Sequence, residues 1–210
     1  MPDNETNTST YTAPTGHNGY FGLNAAHVAE LTDVDELTYG TPVDIGELGG
    51  IISINLDPQT ASDPVYATDR VWIDGQVDNG FTGTMSLVNI WGHATLRPLF
   101  ARFCGYEIAA DGTLLGISDK DPVPFALMGS TSGNLEDKRT CYLYVKANKP
   151  SRNAQTKNGG INNLPDEVPI VARPIKLANG KTLTFYENVP ADGTLYTNFF
   201  NAVRTSFVPA

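Results

Sequence analysis

Side chains that could perform catalysis or bind a metal ion are few and scattered along this 210-residue chain. The three histidines, His17, His27 and His93, show none of the short spacings at which histidine and cysteine side chains share a zinc ion. A metal site would therefore need oxygen ligands alone. The histidine pattern gives no support to a zinc enzyme.

One acidic segment begins like a calcium-binding loop, because Asp33 and Asp35 are spaced as its first and third ligands. Leu37 then occupies the fifth ligand position, and Thr38 stands where such a loop requires glycine. We therefore expect no calcium site in this segment.

The segment Gly129–Gly133 has the outline of a nucleophile elbow, but its central residue is Thr131 and no helical pattern follows. We expect a turn there. Pairs of carboxylates arise by chance in a chain with 23 Asp and Glu residues, so a glycosidase is not favoured. No phosphate-binding loop with glycines and lysine is present. We expect neither an enzyme nor a cofactor.

The two cysteines, Cys104 and Cys141, are too few for a disulfide scaffold. Free cysteine is often a small core residue, so we expect two buried, reduced thiols. Folding in a cytoplasmic environment fits this expectation.

Charge is distributed unevenly along the chain, whose net charge is −9. Residues 1–80 contain 13 acids and one base, a net charge of −12, whereas residues 81–210 contain 10 acids and 13 bases, a net charge of +3. The overall excess of acid argues against a protein that binds nucleic acid or an anionic membrane tightly. The polar N-terminus does not resemble a secretory signal, and no apolar run approaches the length of a membrane span.

The bases are concentrated in a stretch that has no acid between Lys138 and Pro165. This stretch is either a solvated face with a solvated loop, or a surface that docks on the acidic part of another copy. A head-to-tail contact of the second kind builds rings or open filaments. The basic residues are Lys138, Arg139, Lys146, Lys149, Arg152 and Lys157.

Patterning predicts a flexible arm over residues 1–20 and one domain over 21–210 that is mostly antiparallel β, a sandwich or barrel, with two short helices. Residues 147–167 form a long polar loop of the kind that is usually functional or disordered. The predicted strands are Phe21–Leu31, Ile51–Leu56, Val65–Ile73, Phe81–Val88, Pro122–Met128, Thr140–Lys146, Val168–Leu177 and Thr182–Tyr186.

Two turns and two helices complete this pattern. Asp78-Asn79-Gly80 and Asn179-Gly180 are turn signals. A helix is predicted over Gly92–Phe103, and either it begins near Leu96 with Pro98 in its first turn, or the proline kinks it. A second short helix is predicted after Asp192, with Leu195, Phe199 and Val203 on one side.

The aromatic residues allow two interpretations. They could form a sugar-binding platform on a β-sandwich carbohydrate-binding or adhesin module, which remains the alternative function. More often such residues pack a β core or a subunit interface, and we favour that interpretation. The residues concerned are Tyr66, Trp72, Trp91, Tyr142 and Tyr144.

A series of short motifs covers most of residues 21–205, and their order and spacing are more informative than any one of them. The motifs are Gly22–Ala29, Tyr39–Val43, Ile54–Pro58, Val65–Asp69, Asp78–Thr84, Gly105-Tyr106, Asp111-Gly112, Pro124–Leu127 and Phe199–Val203. In this order the chain resembles the major tail tube proteins of long-tailed (siphovirus-type) bacteriophages. It departs from them in the arm 1–20, the loop 147–167 and Gly92-His93-Ala94.

This resemblance implies a β-sandwich flanked by an α-helix, the phage tail-tube fold. It implies a structural virion protein that assembles in the host bacterial cytoplasm. Six copies would form a ring, the inner sheets of a ring would join around a lumen, and the rings would stack. The implied partners are other copies of itself, the tape measure, distal tail and tail terminator proteins of the tail, and double-stranded DNA that passes through without tight binding. No membrane partner is implied.

Within that resemblance, two sets of residues receive roles. Strand alternation places Ser53, Asn55 and Asp57 on a wet face, and the residues expected to face DNA in the lumen are Asp57, Asp69 and Asp74. The arm and the long loop are the expected contacts between rings, and the expected inter-ring residues are Lys146, Lys149, Arg152 and Lys157.

Overall fold

A computed structural model describes residues 22–62, 65–67, 70–73, 76–132, 137–151 and 165–207. The predicted arm 1–20 and most of the predicted loop 147–167 lie outside the described residues. In the described part of the chain, no helix is long and apolar enough to cross a membrane.

Antiparallel strands make up most of the described chain. The strands are β1 (Gly22–Asp33), β2 (Thr38–Tyr39), β3 (Val43–Asp44), β4 (Ile51–Ser62), β5 (Val65–Ala67), β6 (Arg70–Ile73), β7 (Gln76–Leu87), β8 (Glu107–Ile108), β9 (Leu114–Leu115), β10 (Phe125–Ser132), β11 (Lys138–Ala147), β12 (Asp166–Ala172), β13 (Ile175–Lys176), β14 (Thr182–Leu183) and β15 (Phe185–Asn188). The helices are α1 (Ile45–Gly49), α2 (Leu96–Phe103) and α3 (Thr194–Thr197), with a 3₁₀ turn at Pro190–Asp192.

The main sheet has nine strands, in the order β2-β1-β10-β11-β12-β7-β4, with β15 also paired to β11 and β3 to β1. All of its pairings are antiparallel. A mainly antiparallel β fold is therefore confirmed. The strands of the described residues do not close into a barrel, because β4 is the last strand at its end of the order.

The sheet branches at β11, whose partner on one side changes along its length. Arg139–Tyr142 pairs with β15, whereas Val145–Ala147 pairs with β12. Between them, Leu143 N donates to Thr184 O, and Arg173 N donates to Tyr144 O. The two branches contribute to separate hydrophobic cores, β12 to the first and β15 to the second.

The first core lies between the strands and α2. This helix contributes Leu96, Leu99, Phe100 and Phe103, and it begins at Leu96 as one of the two alternatives predicted. Pro98 lies in the first turn, where its missing N–H is not needed. The strand residues of this core are Val28, Met85, Leu87, Phe125, Leu127, Val145, Val168 and Ile170.

The second core lies under the C-terminal segment, residues 193–207. Phe199 is buried in it, and Phe200, Val203 and Phe207 pack against it. The predicted C-terminal helix is only partly correct, because α3 ends at Thr197 and Leu195 remains 46% exposed. The strand residues of this core include Ala29, Leu31, Ala126, Met128, Cys141, Leu143 and Tyr186.

Two predicted turns are instead continuous strand. Asp78-Asn79-Gly80 lies inside β7, where the register with β4 shifts near Pro58. Gly80 has φ of 90°, and its N–H donates to Asp78 Oδ1 at 2.8 Å, so the local turn chemistry forms a β-bulge. The described part of the Gly129–Gly133 segment belongs to β10.

Other strand predictions need smaller corrections. The predicted strand Val65–Ile73 is two antiparallel strands, β5 and β6. The predicted strand Val168–Leu177 is likewise divided into β12 and β13. The turn at Asn179-Gly180 is confirmed, because it joins the antiparallel pair β13 and β14.

Both cysteines are free and buried, as predicted. Burial raises the pKa of the Cys104 thiol to about 12 and that of the Cys141 thiol to about 12. Both side chains therefore stay protonated and behave as small apolar core groups near neutral pH.

Gly83 provides a test of the close approach between β4 and β7. A Cβ at this position would lie 1.8 Å from Asn55 O, whereas a Cβ at Gly116 would make only ordinary contacts with Tyr106. We expect Gly83→Ala to lower the free energy of unfolding by about 1–3 kcal/mol, because the strands must separate. Gly116→Ala is the control, and urea denaturation of both variants measures the difference. Equal stability of the two variants would contradict the described packing of β4 on β7.

Candidate functional site

A polar face runs across β4, β7 and β12 on the side opposite the first core. Its position follows from alternation, because Ile54, Leu56 and Met85 point into that core. The prediction of a wet face on β4 is confirmed, with Asn55 and Asp57 exposed and Ser53 half-buried. The polar face comprises Ser53, Asn55, Asp57, Thr82, Thr84, Ser86 and Glu167.

The start of this face differs from the sequence prediction because of a β-bulge. Alternation predicts that Ile52 shares the core side with Ile54 and Leu56. The register shifts between Ile51 and Ser53, so Ile51 packs against the core and Ile52 is 54% exposed. The apolar side chain of Ile52 is therefore exposed to solvent at the start of β4.

Lys146 lies on the same side of the sheet as Asp57. The pairings Asp57–Thr82, Thr82–Val171 and Val171–Lys146 form one cross-strand row, and directly paired residues point to the same side. Three strand spacings separate its ends by about 14 Å. The expected lumen residue and the expected inter-ring residue are thus neighbours on one surface.

Lys149 has partners within its own chain. Its Nζ donates to Ile117 O and lies 5.6 Å from the centre of the Tyr106 ring. These contacts attach the start of the predicted loop to the segment that follows β9. Lys149 therefore positions the base of this loop. The remaining predicted site residues, Asp69, Asp74, Arg152 and Lys157, lie outside the described residues.

Arg139 is also committed to an internal contact. Its Nη1 donates to Tyr196 O, and its guanidinium carbon lies 4.0 Å from the Tyr196 ring centre and 5.0 Å from that of Phe200. Among the described residues, Lys138, next to it, forms a long ion pair of 4.0 Å with Glu187. Arg139 thus attaches the C-terminal segment to β11.

Two described acidic residues of the N-terminal part are engaged within the chain. Glu30 pairs with Arg102 at 2.8 Å, and Asp44 Oδ1 accepts from Gly46 N and Glu47 N to cap α1. By contrast, the turn between β1 and β2 projects carboxylates into solvent. Its acids, here called the acidic turn, are Asp33, Asp35 and Glu36, all of them exposed.

The acidic turn is shaped by its own backbone. Asp33 Oδ1 accepts from Asp35 N and from Glu36 N, at 2.9 and 3.1 Å. One oxygen of Asp33 is therefore engaged by the turn itself. In the parts of the chain that the structure describes, no group of three or more metal-binding side chains is found.

The outer edge of β4 is a long strand edge at one end of the sheet. Among the described strands, none pairs with its 12 residues on the side away from β7. Pro58 lies within β4, as edge strands permit. A long edge of this kind is a template for pairing with another chain.

His27 is a residue whose environment the sequence did not reveal. Its ring stacks on Phe200, with centroids 4.3 Å apart, and its Nε2 lies 3.7 Å from Asp44 Oδ2. Burial lowers the pKa of His27 below its ordinary value of 6.5, Asp44 opposes this, and Arg139 lowers it further. Its position on β1 was predicted, but its contact with Phe200 joins residues far apart in sequence.

Three of the five aromatic residues considered for a sugar platform pack against the cores. Trp91 contacts Tyr106 edge-on, at 5.5 Å, and Tyr142 contacts Phe81 edge-on, at 5.4 Å. Tyr144 packs against the second core. The prediction of core packing is confirmed for these three, and nothing is described for the side chains of Tyr66 and Trp72.

Comparison of the chain with protein-family models, with curated proteins and with solved structures finds no match in any of the three. The functional argument therefore rests on the geometry of the polar face, the β4 edge and the acidic turn.

The contacts of Arg139 generate a stability prediction. We expect Arg139→Gln to lower the free energy of unfolding by about 2 kcal/mol, because a charged hydrogen bond and two ring contacts are lost. Lys138→Gln, which removes only a long surface ion pair, should change it by less than about 0.5 kcal/mol. Thermal and urea denaturation measure both variants. A Lys138→Gln effect as large as that of Arg139→Gln would contradict the assignment.

Proposed function

We propose that this protein is a structural subunit that assembles with copies of itself into stacked rings, forming a phage tail tube that conducts DNA. The observation that carries the proposal is the polar face of β4, β7 and β12 ending at the unpaired edge of β4. This combination suits the wall of a tube. The polar face would contact water in the lumen, and the neighbouring subunit would extend the sheet at the β4 edge. The motif order and the charge asymmetry of the chain support the same function.

The β4 edge supports ring formation. Unpaired N–H and C=O groups along 12 residues gain hydrogen bonds when a second copy adds a strand. A β4 edge that pairs with a different edge of the next copy gives a head-to-tail contact, which closes into a ring when the rotation allows it. Exposed Ile52 would be covered at this joint.

The polar face supports the role of a DNA conduit. Its polar side chains are hydroxyls and one amide, with Asp57 and Glu167 as exposed acids, and Pro169 and Val171 of β12 share the face. Carboxylates repel phosphates, so DNA passes such a wall without the cation contacts that produce tight binding. Lys146, at the far end of its row from Asp57, carries an opposing charge, and exposed Arg173 lies with Asp78 and Val171 around one surface cavity.

Charge complementarity supports stacking of the rings. The acidic turn projects Asp33, Asp35 and Glu36 into solvent, and the basic loop 147–167 carries Arg152 and Lys157 beyond Lys149, which is already bound to Ile117 O. The loop of one ring docking on the acidic turns of the next gives a contact that repeats along the tube axis. Screening by salt should weaken it.

The edge contact is tested by Ile52→Lys. A lysine on the edge strand should prevent strand addition, because a charge would be buried at the joint. We expect rings and tubes from the unaltered chain at high concentration, and monomers from Ile52→Lys, in negative-stain microscopy and mass photometry. Leu195→Lys is the matched control, since Leu195 is also exposed but lies on α3. Normal tubes from Ile52→Lys, or equal loss in both variants, would contradict the role of the edge.

The stacking contact is tested by deletion of residues 150–163. We expect a folded chain, by circular dichroism, that no longer forms tubes, because the basic loop has lost its docking residues. A triple variant Asp33→Asn, Asp35→Asn and Glu36→Gln should reproduce the defect if the acidic turn is the acceptor. Tubes of normal length from the deletion would refute the docking role of the loop.

A further inference from the structure

The C-terminal segment, residues 193–207, covers the second core through contacts that come from several strands. Tyr186 on β15 packs against Phe199 and Phe207, and its hydroxyl oxygen accepts from Arg204 N at 3.1 Å. Arg139 on β11 holds Tyr196. Beneath this cover lie Met128, Cys141 and Leu143, all of them fully buried or nearly so.

One further contact attaches the cover to β1, and it is made by a titratable side chain. The His27 ring stacks nearly parallel on Phe200, with an angle of 20° between the planes. Only 16% of the His27 side chain is exposed, and its buried Nδ1 has no hydrogen-bond partner among the described residues. A proton on both ring nitrogens would leave a buried N–H without an acceptor.

We propose that the C-terminal segment is a pH-sensitive latch, which is closed over the second core when His27 is neutral and opens when His27 is protonated. The latch concerns a single chain, so it is independent of the proposed assembly.

The charged groups that face His27 have opposing effects. From the α1 cap, Asp44 Oδ2 lies 3.7 Å from Nε2 and favours the protonated ring. Arg139, on β11, lies over the ring of Phe200, on which His27 stacks. Its positive charge disfavours protonation of His27. The residues paired with His27 and Arg139 on β10, Met128 and Ser130, are uncharged.

The sum of these effects fixes the direction of the switch. The closed state lowers the pKa of His27 from 6.5, with burial as the largest cause. In the open state the ring regains water and its ordinary pKa, so the open state binds more protons between the two values. Lowering the pH through and below 6.5 therefore favours opening. The ratio of open to closed chains rises by at most about tenfold for each unit by which closure lowers the pKa of His27.

Amide hydrogen exchange of the full chain, followed by mass spectrometry, tests the latch at about pH 7.5 and about pH 5. After correction for the intrinsic pH dependence of exchange, amides of residues 196–204 should lose protection at the lower pH. Amides of β10 serve as the internal reference and should keep theirs, because the sheet stays folded. Constant protection of residues 196–204 at both pH values would overturn the proposal.

Substitutions identify His27 as the group responsible. His27→Phe keeps a ring on Phe200 but cannot take up a proton, so protection of residues 196–204 should not change with pH. Asp44→Asn, which still caps α1, removes the charge that favours protonation in the closed state, so the closed-state pKa of His27 falls further and the acid-induced loss of protection should increase. His93→Asn is the control and should behave as the unaltered chain. A pH response retained in His27→Phe, or a smaller acid-induced loss of protection in Asp44→Asn than in the unaltered chain, would refute the latch.

Discussion

The backbone groups on the outer edge of β4 are the constraint on which the rest of the structure depends. An antiparallel sheet satisfies its N–H and C=O groups through neighbouring strands, and this edge has no neighbour among the described strands. Water can satisfy these groups in a monomer, whereas another copy would satisfy them with a strand. The polar face and the exposed Ile52 both adjoin this edge, so the proposed assembly would use all three features.

Local alternation was sufficient to predict which side of several strands is buried. Asn55 and Asp57 point into solvent as expected, because successive side chains of a strand alternate between its two sides. The two bulges in the β4–β7 pair escaped prediction. A bulge at Ile52 depends on the partner strand, and Asp78-Asn79-Gly80 has turn chemistry whether or not the chain reverses.

The site was less predictable because it depends on long-range pairing. Nothing near Lys146 in the sequence indicates that three pairings connect it to Asp57 on one surface. Arg139 belongs to a basic stretch by sequence, but its partner Tyr196 lies 57 residues away. Charge counts therefore predicted an asymmetric chain, and the fold determined which charges remain available for a partner. His27 likewise acquires its environment from Phe200 and Asp44.

The proposed function makes one geometrical claim, that the polar face lines the lumen of a tube. A cryo-electron microscopy reconstruction of the purified protein at high concentration tests it most directly. We expect a tube whose inner wall carries Asn55, Asp57, Thr84 and Glu167, with the β4 edge paired to the next subunit. A monomer at every concentration, or a tube whose polar face points outward, would contradict the proposed function.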